Sequence, residues 1–416
     1  MSASAVFVLT YSLIAVRKVN GRRIRTWTAA VLGGVLMLLL GVVTPSEAWD
    51  YINFEVILQL AGMMMLTASL QYCGFFEIVV DFLMRRFDGR RRFLSGVMAI
   101  TACLSAVMLN DAVVLIFTPI VLRCCQRMRA DPVPYMVGVF VSANIGSAAT
   151  VVGNPQNALV ASMAGIGFLD YSIRVIPLTV ICMAVAMLMM RRMYGGRLDT
   201  DDASLSGETF HTREVDKYRL CAVLAVTVTA LVLFALSVPL GLRIYQIALA
   251  AGAVSLIIVL TDSMRAGGYV IRHVDWSILL FFTGLFVVIA GAVSSGLLDS
   301  MSELFGMGDG NVPSIGVLSG FSTVLANLVS NVPSVMLIGQ LLPEGDMVLW
   351  ITLAVTSTFA GNLTLIGAAA NIIVEDEGEK HGIRMDFFRY LRVGIPIAVI
   401  TIVIATAYLY MLDILL

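Results

Sequence analysis

The sequence predicts an all-α polytopic membrane protein, with about ten transmembrane helices and two re-entrant hairpins arranged in an inverted-topology repeat. Three observations predict this fold class. The 416 residues are 59% hydrophobic and only 13% charged, whereas soluble domains are about 45–50% apolar and about 25% charged. Lys and Arg are confined almost entirely to the connectors between apolar runs. Two polar motifs of the first half recur in the same order in the second half.

The apolar runs predict the spanning helices, because about 17–25 apolar residues cross a bilayer as a helix. The runs are residues 2–16, 27–44, 53–72, 134–164, 172–190, 219–238, 244–261, 276–298, 346–374 and 391–413. The first run is the shortest, and its alternative interpretation is a cleaved signal peptide. That alternative fits poorly, since the basic residues follow the run instead of preceding it.

The distribution of Lys and Arg predicts the orientation of the chain, because these residues concentrate in cytoplasmic loops. Of the 27 Lys and Arg residues, all except Arg174 and Arg243 lie in a few connectors. These connectors are 17–25, 85–92, 123–131, 191–219, 262–273 and 375–392. We therefore expect a multi-pass protein of the cytoplasmic (inner) membrane, with the N-terminus and the C-terminus outside.

Residues 93–122 predict a re-entrant hairpin instead of a span. Both flanks are basic, so both are expected on the cytoplasmic side. A helix over this whole segment would measure about 45 Å, which is too long for one hydrocarbon core of ~30 Å, and two spans would need about 40 residues. A hairpin with its tip at Leu109, Asn110 and Asp111 fits both constraints.

Residues 313–342 are the mirror case. Their flanks carry no Lys or Arg, so we expect this second hairpin to enter from the outside, with its tip at residues 330–333. Each half then contains five spans and one hairpin, and an odd number of spans inserts the second half upside down. This is the inverted-topology repeat of secondary transporters, whose site lies where the broken helices meet.

The predicted division follows from these elements. It comprises a first repeat at 1–190, with hairpin 93–122 and broken helix 134–164; a cytoplasmic linker at 191–218; and a second repeat at 219–416, with hairpin 313–342 and broken helix 346–374. Gly153 and Asn157 each recur after 214 residues, and Asn110 recurs after 221 residues. Coincidence among apolar segments of similar composition is the alternative, which the shared order and topology disfavour.

Asp111 is the main candidate for chemistry. A carboxylate at the centre of a membrane helix costs roughly 2.5–3.5 kcal/mol on insertion scales, so such residues usually have a function. Asp111 could carry a proton, coordinate a cation, or do both in turn. The alternative, which is compatible with these roles, is a helix N-cap for the apolar segment that follows.

Amide and hydroxyl side chains in or beside the breaks are the other candidate ligands. Amides both donate and accept hydrogen bonds, and unwound backbone at such breaks binds ions and solutes. The alternative is that they bond the freed backbone or hold helices together. The candidates are Asn110, Asn144, Thr150, Asn154, Asn157, Ser330, Asn331, Thr358, Asn362 and Asn371.

No catalytic residue, metal site or cofactor is expected. The three His lie in polar connectors, and the six Cys show no metal-ligand spacing. An intramembrane enzyme would need a second catalytic group near Asp111, and the apolar segments supply none. A transporter is therefore favoured over an enzyme, and inverted hairpins favour a transporter over a channel.

The segments LNDAVVLIFTP (109–119) and ANIGSAATVVGNPQNALV (143–160) resemble those of an ion-transporter superfamily. It includes the ArsB-like arsenite efflux permeases, the NhaD-type sodium/proton antiporters and, more distantly, the divalent-anion/sodium symporters. The order Asn110-Asp111 is that of ArsB-like proteins, whereas the sodium branch typically has Asp-Asn. That branch also tends to have Asp where this chain has Asn154, and hard cations favour anionic oxygen ligands.

The resemblance implies proton-coupled efflux of arsenite or antimonite, with Asp111 taking up a proton from outside and releasing it inward. A sodium/proton antiporter or an anion permease of the same superfamily is the alternative. The expected partners are a small inorganic solute, protons and the lipid bilayer. The resemblance also implies a homodimer and a cytoplasmic ATPase subunit, and no nucleic acid is expected.

Overall fold

The computed structural model describes residues 2–16, 18–19, 22–23, 25–87, 89–198, 216–297, 313–343 and 345–415. Within these ranges the protein has 20 α-helices and one antiparallel pair of two-residue strands. The predicted all-α class is confirmed. Residues 199–215 of the predicted linker and residues 298–312 before the second hairpin lie outside the described residues.

The first half is built from consecutive helices joined by short connectors. Its elements are α1 (Ser2–Val16), β1 (Lys18–Val19), β2 (Arg22–Arg23), α2 (Thr26–Leu39), α3 (Pro45–Tyr51), α4 (Phe54–Tyr72), α5 (Phe75–Arg86), α6 (Arg90–Val107), α7 (Asn110–Arg127), α8 (Val133–Ser147), α9 (Pro155–Ala164), α10 (Phe168–Met193) and α11 (Gly195–Leu198). The two strands pair in the basic connector between α1 and α2.

The part of the chain from residue 216 onward contains nine helices in the described residues. Its elements are α12 (Lys217–Ala235), α13 (Ile244–Leu260), α14 (Met264–Arg272), α15 (Trp276–Ser294), α16 (Ile315–Val329), α17 (Asn331–Gly339), α18 (Met347–Ala360), α19 (Ala369–Lys380) and α20 (Phe387–Leu415). Side chains fix where several helices begin. Asp275 accepts a hydrogen bond from Ser277 N at 3.0 Å and caps α15, and Asp346 accepts one from Leu349 N at 3.1 Å and caps α18.

Apolar helices dominate the part of the chain that the structure describes. Five of them, α4, α10, α12, α15 and α20, are long and apolar enough to cross a membrane unbroken. Shorter apolar helices are α1, α2, α8, α13, α16 and α18. Large apolar side chains remain exposed on these helices, including Val180 and Leu188 on α10. An exposed apolar face of this kind suits contact with lipid.

The structure adds short helices that the apolar runs do not predict. They are α3, α5 and α14, which lie between predicted spans. Each is short and has apolar residues on one face only, so none forms a continuous apolar run.

Thr44 starts α3 through a capping box, in which Thr44 N donates to Glu47 Oε2 at 2.7 Å.

The first predicted hairpin consists of α6 and α7. Its tip is an extended pair, Met108 and Leu109, one residue before the predicted position, and α7 begins at Asn110. Arg90 at the start of α6 donates to the carbonyl oxygens of Met128 and Arg129 beyond the end of α7, at 3.2 and 3.1 Å. Both ends of the hairpin therefore lie side by side.

The second hairpin consists of α16 and α17, with its tip inside the predicted range. Ser330 alone separates the two helices, and its φ of 87° lies in the region that favours glycine. The helices therefore meet at a sharp turn, with Asn331 as the first residue of α17.

Helix pairs repeat between the two halves that we propose, 1–190 and 219–416. The pairs α1–α2 and α6–α8 within the first half correspond to α12–α13 and α16–α18 within the second. The pair α4–α13, which joins the halves, corresponds to α15–α2, which also joins them. The two corresponding pairs that join the halves, α4–α13 and α15–α2, also share a close contact at a glycine. A Cβ at Gly62 would lie 2.3 Å from the Ala248 carbonyl oxygen, and a Cβ at Gly284 would lie 2.6 Å from that of Ala30. Small residues permit this close packing of membrane helices.

Described parts of the basic connectors contact one another on one side of the molecule, which we call the basic side. Arg197 forms a salt bridge with Asp131 at 3.0 Å, and Arg219 forms one with Asp262 at 3.0 Å. On the opposite side Arg243 pairs with Glu55 at 2.5 Å. The basic side is the side that the sequence predicts to be cytoplasmic.

Candidate substrate and ion site

The first break separates α8 from α9 over residues 148–154. The buried side chain of Asn157 stabilises this turn. Its Nδ2 donates to the carbonyl oxygens of Ser147 at 3.1 Å and of Thr150 at 2.9 Å. Asn154 caps α9, with its Oδ1 accepting from Asn157 N at 2.8 Å. The carbonyl groups that the break frees therefore have partners, as a break buried in a membrane protein requires.

The second break separates α18 from α19 over residues 361–368 and has the same internal geometry. Asn371 Nδ2 donates to the carbonyl oxygens of Gly361 at 2.7 Å and of Thr364 at 3.0 Å. Each of these three residues follows its counterpart in the first break by 214 positions. The offset that the sequence shows for single residues thus extends to a set of hydrogen bonds.

The two breaks contact each other directly. Asn144 Nδ2 donates to Oδ1 of Asn362 and to Oδ1 of Asn371, both at 2.9 Å. Thr358 Oγ1 accepts from Asn154 Nδ2 at 3.4 Å and from Gln156 Nε2 at 3.2 Å. These bonds join the halves into one buried polar group, which we call the break cluster: Asn144, Asn154, Gln156, Asn157, Thr358, Asn362 and Asn371.

Each hairpin tip is bound to the break of its own half. Asn110 N donates to the Gly153 carbonyl oxygen at 2.9 Å. With its amide oriented so that the nitrogen is the donor, Asn331 donates to the carbonyl oxygens of Gly367 and Ser357, each at 3.2 Å. Each tip therefore forms a hydrogen bond to the carbonyl oxygen of a glycine in the break, Gly153 or Gly367. Both asparagines are buried.

Two threonines add equivalent contacts between tip and break. Thr150 Oγ1 donates to the Ala106 carbonyl oxygen at 2.5 Å, and Thr364 Oγ1 donates to Asn327 Oδ1 at 3.1 Å. Ser330 forms the second tip itself, but within the described residues no hydrogen bond joins its Oγ to the break cluster. The structure thus gathers the predicted amides and threonines and leaves Ser330 at the edge.

Asp111 lies in the first turn of α7 and is half-buried. Its backbone N–H donates to Asn110 Oδ1 at 2.9 Å, and the described residues provide no hydrogen-bond donor to its carboxylate. The tip segments and breaks contain no Lys, Arg or His, so Asp111 is the ionisable group of the site.

Two buried atoms of the break cluster lack a partner within the described residues. They are Asn157 Oδ1, an acceptor, and Asn362 Nδ2, a donor. An unpaired buried polar group costs roughly 1–3 kcal/mol, so such groups suggest a ligand or ordered water. The pair suits a molecule that both donates and accepts hydrogen bonds.

Two residues that contact the break cluster were not predicted from the sequence. Gln156 lies inside the quoted segment 143–160, and its position in the GNPQN part of that segment is the signal that could have identified it. Tyr390 lies in the first turn of α20, inside the basic connector 375–392, and its hydroxyl donates to the Asn362 carbonyl oxygen. No sequence signal marks Tyr390, because a tyrosine near the end of a membrane helix is ordinary. In the described ranges, no group of three or more His, Cys, Asp and Glu could hold a metal ion.

Paired hairpins, paired broken helices and a buried polar cluster between them define a membrane transporter. The chain belongs to the citrate transporter family, whose sequence profile matches residues 11–344. This confirms the resemblance that the hairpin and break motifs indicate.

Known relatives and a solved structure agree with this assignment. A 46 kDa membrane protein of Mycobacterium leprae is 28% identical over 98% of each chain. The silicon efflux transporter of Oryza sativa subsp. japonica is 27% identical over 88% of each chain. A provisionally named transporter arsB of Dictyostelium discoideum is 23% identical, over 90% of this chain and 85% of that one. The YdaH transporter of Alcanivorax borkumensis has a similar fold, with a TM-score of 0.59, 16% identity and 98% coverage of both chains.

Proposed function

We propose that the protein is a secondary active transporter that exports arsenite or antimonite across the cytoplasmic membrane in exchange for protons. In this proposal the basic side faces the cytoplasm, in keeping with the distribution of Lys and Arg. The observation that carries the proposal is the chemistry of the break cluster. Its ligand groups are neutral amides and one hydroxyl, and a single carboxylate lies beside it at the first hairpin tip.

A neutral, hydroxylated solute matches this cluster. Arsenous acid is uncharged near pH 7 and presents only hydroxyl groups, each of which donates and accepts a hydrogen bond. Asn362 Nδ2 and Asn157 Oδ1 offer one donor and one acceptor without partners in the described residues. Two relatives bear names that fit this class, namely silicon efflux and arsB, and silicon dissolves in water as a neutral hydroxylated acid.

Asp111 is the proton carrier in this proposal. Ionisable groups inside membrane proteins commonly form proton relays, and Asp111 is the ionisable residue of the tip and break segments. Its position in the first turn of α7 is fixed by Asn110, which also binds the first break. Asp111 is therefore one residue away from a direct contact between the first hairpin tip and the first break.

An anion permease is the second candidate, because the matching family is described as citrate transporters. The helices α9 and α19 begin in the breaks, and helix N-termini favour anions. A polycarboxylate would nevertheless meet Asp111 and no Lys, Arg or His in the tips and breaks. This absence of compensating charge favours the neutral solute.

Counterflow in proteoliposomes tests the substrate without depending on coupling. Liposomes loaded with unlabelled arsenite would receive a trace of labelled arsenite outside. We expect transient accumulation of label, competition by antimonite, and no competition by citrate or sodium. Liposomes without protein and the Glu55→Gln variant provide the negative and positive controls. Counterflow with citrate and none with arsenite would overturn the proposal in favour of the anion permease.

A further inference from the structure

A cavity lies on the basic side, and none of the break-cluster residues line it. It has a volume of about 460 Å³ and is bounded by the start of α8, the end of α10 with α11, and the start of α20. Small-molecule sites typically measure roughly 300–1,000 Å³, so the cavity has the size of a binding site. We call it the basic pocket.

The charge of the basic pocket is strongly positive. Its lining includes Arg197, Arg384, Arg389 and Arg392. Arg197 is paired with Asp131, whereas the other three form no salt bridge within the described residues. The Asp386 carboxylate also lines the pocket and caps the start of α20, where it accepts a hydrogen bond from Arg389 N at 2.7 Å. Three exposed guanidinium groups without a salt bridge thus line the pocket together with one carboxylate.

Exposed apolar side chains are at or next to lining residues of the basic pocket along the chain, and we call them the apolar rim: Met193, Phe387 and Phe388. Phe388 is 74% exposed and Phe387 is 37% exposed at the start of α20, and Met193 at the end of α10 is 39% exposed. Both helices are long and apolar enough to cross a membrane. The cationic lining therefore sits where a span ends, with exposed apolar side chains beside it.

We propose that the basic pocket binds the phosphate group of an anionic phospholipid headgroup, with the acyl chains against the apolar rim. Basic pockets between membrane helices on the cytoplasmic side suit such headgroups. Arg is also the residue that best matches phosphate oxygens, because its planar guanidinium donates two parallel hydrogen bonds. A free phosphate compound shares the same oxyanion chemistry, but it would gain nothing from the apolar rim.

The basic pocket is connected to the break cluster by one side chain. Tyr390 lines the pocket and is buried, and its hydroxyl donates to the Asn362 carbonyl oxygen. Its ring also contacts Phe140 of α8, with centroids 5.3 Å apart. A headgroup held by the arginines of α20 thus stabilises the helix that supports the second break.

Lipid binding to the purified full chain tests the proposal, and neither readout below requires a transport substrate. Wild type, an Arg384→Gln/Arg392→Gln double variant and an Arg265→Gln/Arg272→Gln control would be compared. The control arginines lie on α14, are exposed and belong to the same side. Native mass spectrometry would count retained phosphatidylglycerol against phosphatidylcholine, and thermal unfolding would be followed with each lipid, inorganic phosphate or ATP.

We expect wild type and control to retain and be stabilised by phosphatidylglycerol. The double variant should bind it about 25-fold more weakly, because each arginine near an anionic headgroup contributes roughly a factor of five. If inorganic phosphate or ATP stabilises the wild type, phosphatidylglycerol does not, and the effect is lost in the double variant, the pocket binds a phosphate group that does not come from a lipid. That result would overturn the lipid proposal. Equal preference for phosphatidylglycerol in all three proteins, with no effect of phosphate or ATP, would overturn the proposal altogether.

Discussion

The two breaks share one backbone framework but differ in chemistry. Asn157 and Asn371 hold the freed carbonyl groups of their breaks in the same way. The ionisable group has no such counterpart, because the residue 221 positions after Asp111 is Val332. Asn154 and Gln156 also lack polar counterparts, because the residues 214 positions after them are alanines.

The difference separates what the fold requires from what the proposed function requires. Both breaks remove backbone groups from helical hydrogen bonds, and each buried break must satisfy those groups internally. Duplicated asparagines, threonines and glycines meet that requirement in both halves. A carboxylate is not needed for it, so a carboxylate in one half alone points to chemistry instead of architecture.

The largest effect is expected for alanine at the glycines of the breaks. A Cβ at Gly153 would lie 2.2 Å from the Ser147 carbonyl oxygen, and a Cβ at Gly367 would lie 2.8 Å from that of Gly361. We expect Gly153→Ala to lower the free energy of unfolding by about 3 kcal/mol and to abolish counterflow, and Gly367→Ala to cost less, about 1–2 kcal/mol. SDS-titration unfolding in mixed micelles measures both.

Gly320→Ala is the matched control, since no atom lies within 4 Å of a Cβ built there. It should be neutral or slightly stabilising, because alanine favours the helix α16. Equal tolerance of alanine at Gly153 and Gly320 would contradict the close packing of the backbone in the first break.

A smaller effect is expected where the two halves are joined. Asn144→Ala removes two buried hydrogen bonds between the halves, both at 2.9 Å, whereas Thr358→Val removes two longer ones at 3.4 and 3.2 Å. Thr358→Val also removes the bond from Thr358 Oγ1 to the Ala354 carbonyl oxygen within its own helix, and such a bond to the preceding turn adds little to stability. We expect losses of about 2 and about 1 kcal/mol respectively, because a neutral hydrogen bond contributes roughly 1 kcal/mol. The same unfolding titration measures both losses.

The 214-residue offset makes this a comparison of equivalent positions, because Thr358 is the counterpart of Asn144. A larger loss for Thr358→Val than for Asn144→Ala would contradict the assignment of the main link between halves to Asn144.

The smallest effect is expected at the surface. Glu55 pairs with Arg243 opposite the basic side, and both side chains are substantially exposed. Glu55→Gln should change the free energy of unfolding by less than about 1 kcal/mol and leave counterflow intact. Loss of transport in this variant would show that the ionisable chemistry extends beyond the tip and break segments.

The sequence predicts the parts of the fold that depend on long apolar runs and on conformational breaks. The broken helix predicted at 134–164 corresponds to α8 and α9, which run from Val133 to Ala164. The turn at Ser330 is also foreseen, because small polar residues interrupt an apolar run there. Helix α5 is missed, because Glu77 and Asp81 interrupt its apolar residues and two arginines end it, so its twelve residues form no long apolar run.

The sequence predicts which residues belong to the site better than it predicts their hydrogen-bond partners. The amides of the breaks stand out because polar residues are rare in apolar runs. Their hydrogen bonds across the halves, such as Asn144 to Asn371, depend on the tertiary packing of α8 against α19. Tyr390 is invisible to the same reasoning, since its role arises only where α20 crosses the second break.

Proton coupling through Asp111 is the central claim, and uphill transport tests it most directly. The measurement is arsenite accumulation in energised everted membrane vesicles, for wild type, Asp111→Asn and the control Asp170→Asn. Asp170 is an exposed carboxylate paired with Arg174 in α10, away from the site.

We expect accumulation by wild type and Asp170→Asn that collapses with an uncoupler. For Asp111→Asn we expect accumulation no greater than in vesicles without the protein, although it is folded and inserted. Uncoupler-sensitive accumulation by Asp111→Asn at the wild-type level would contradict the account.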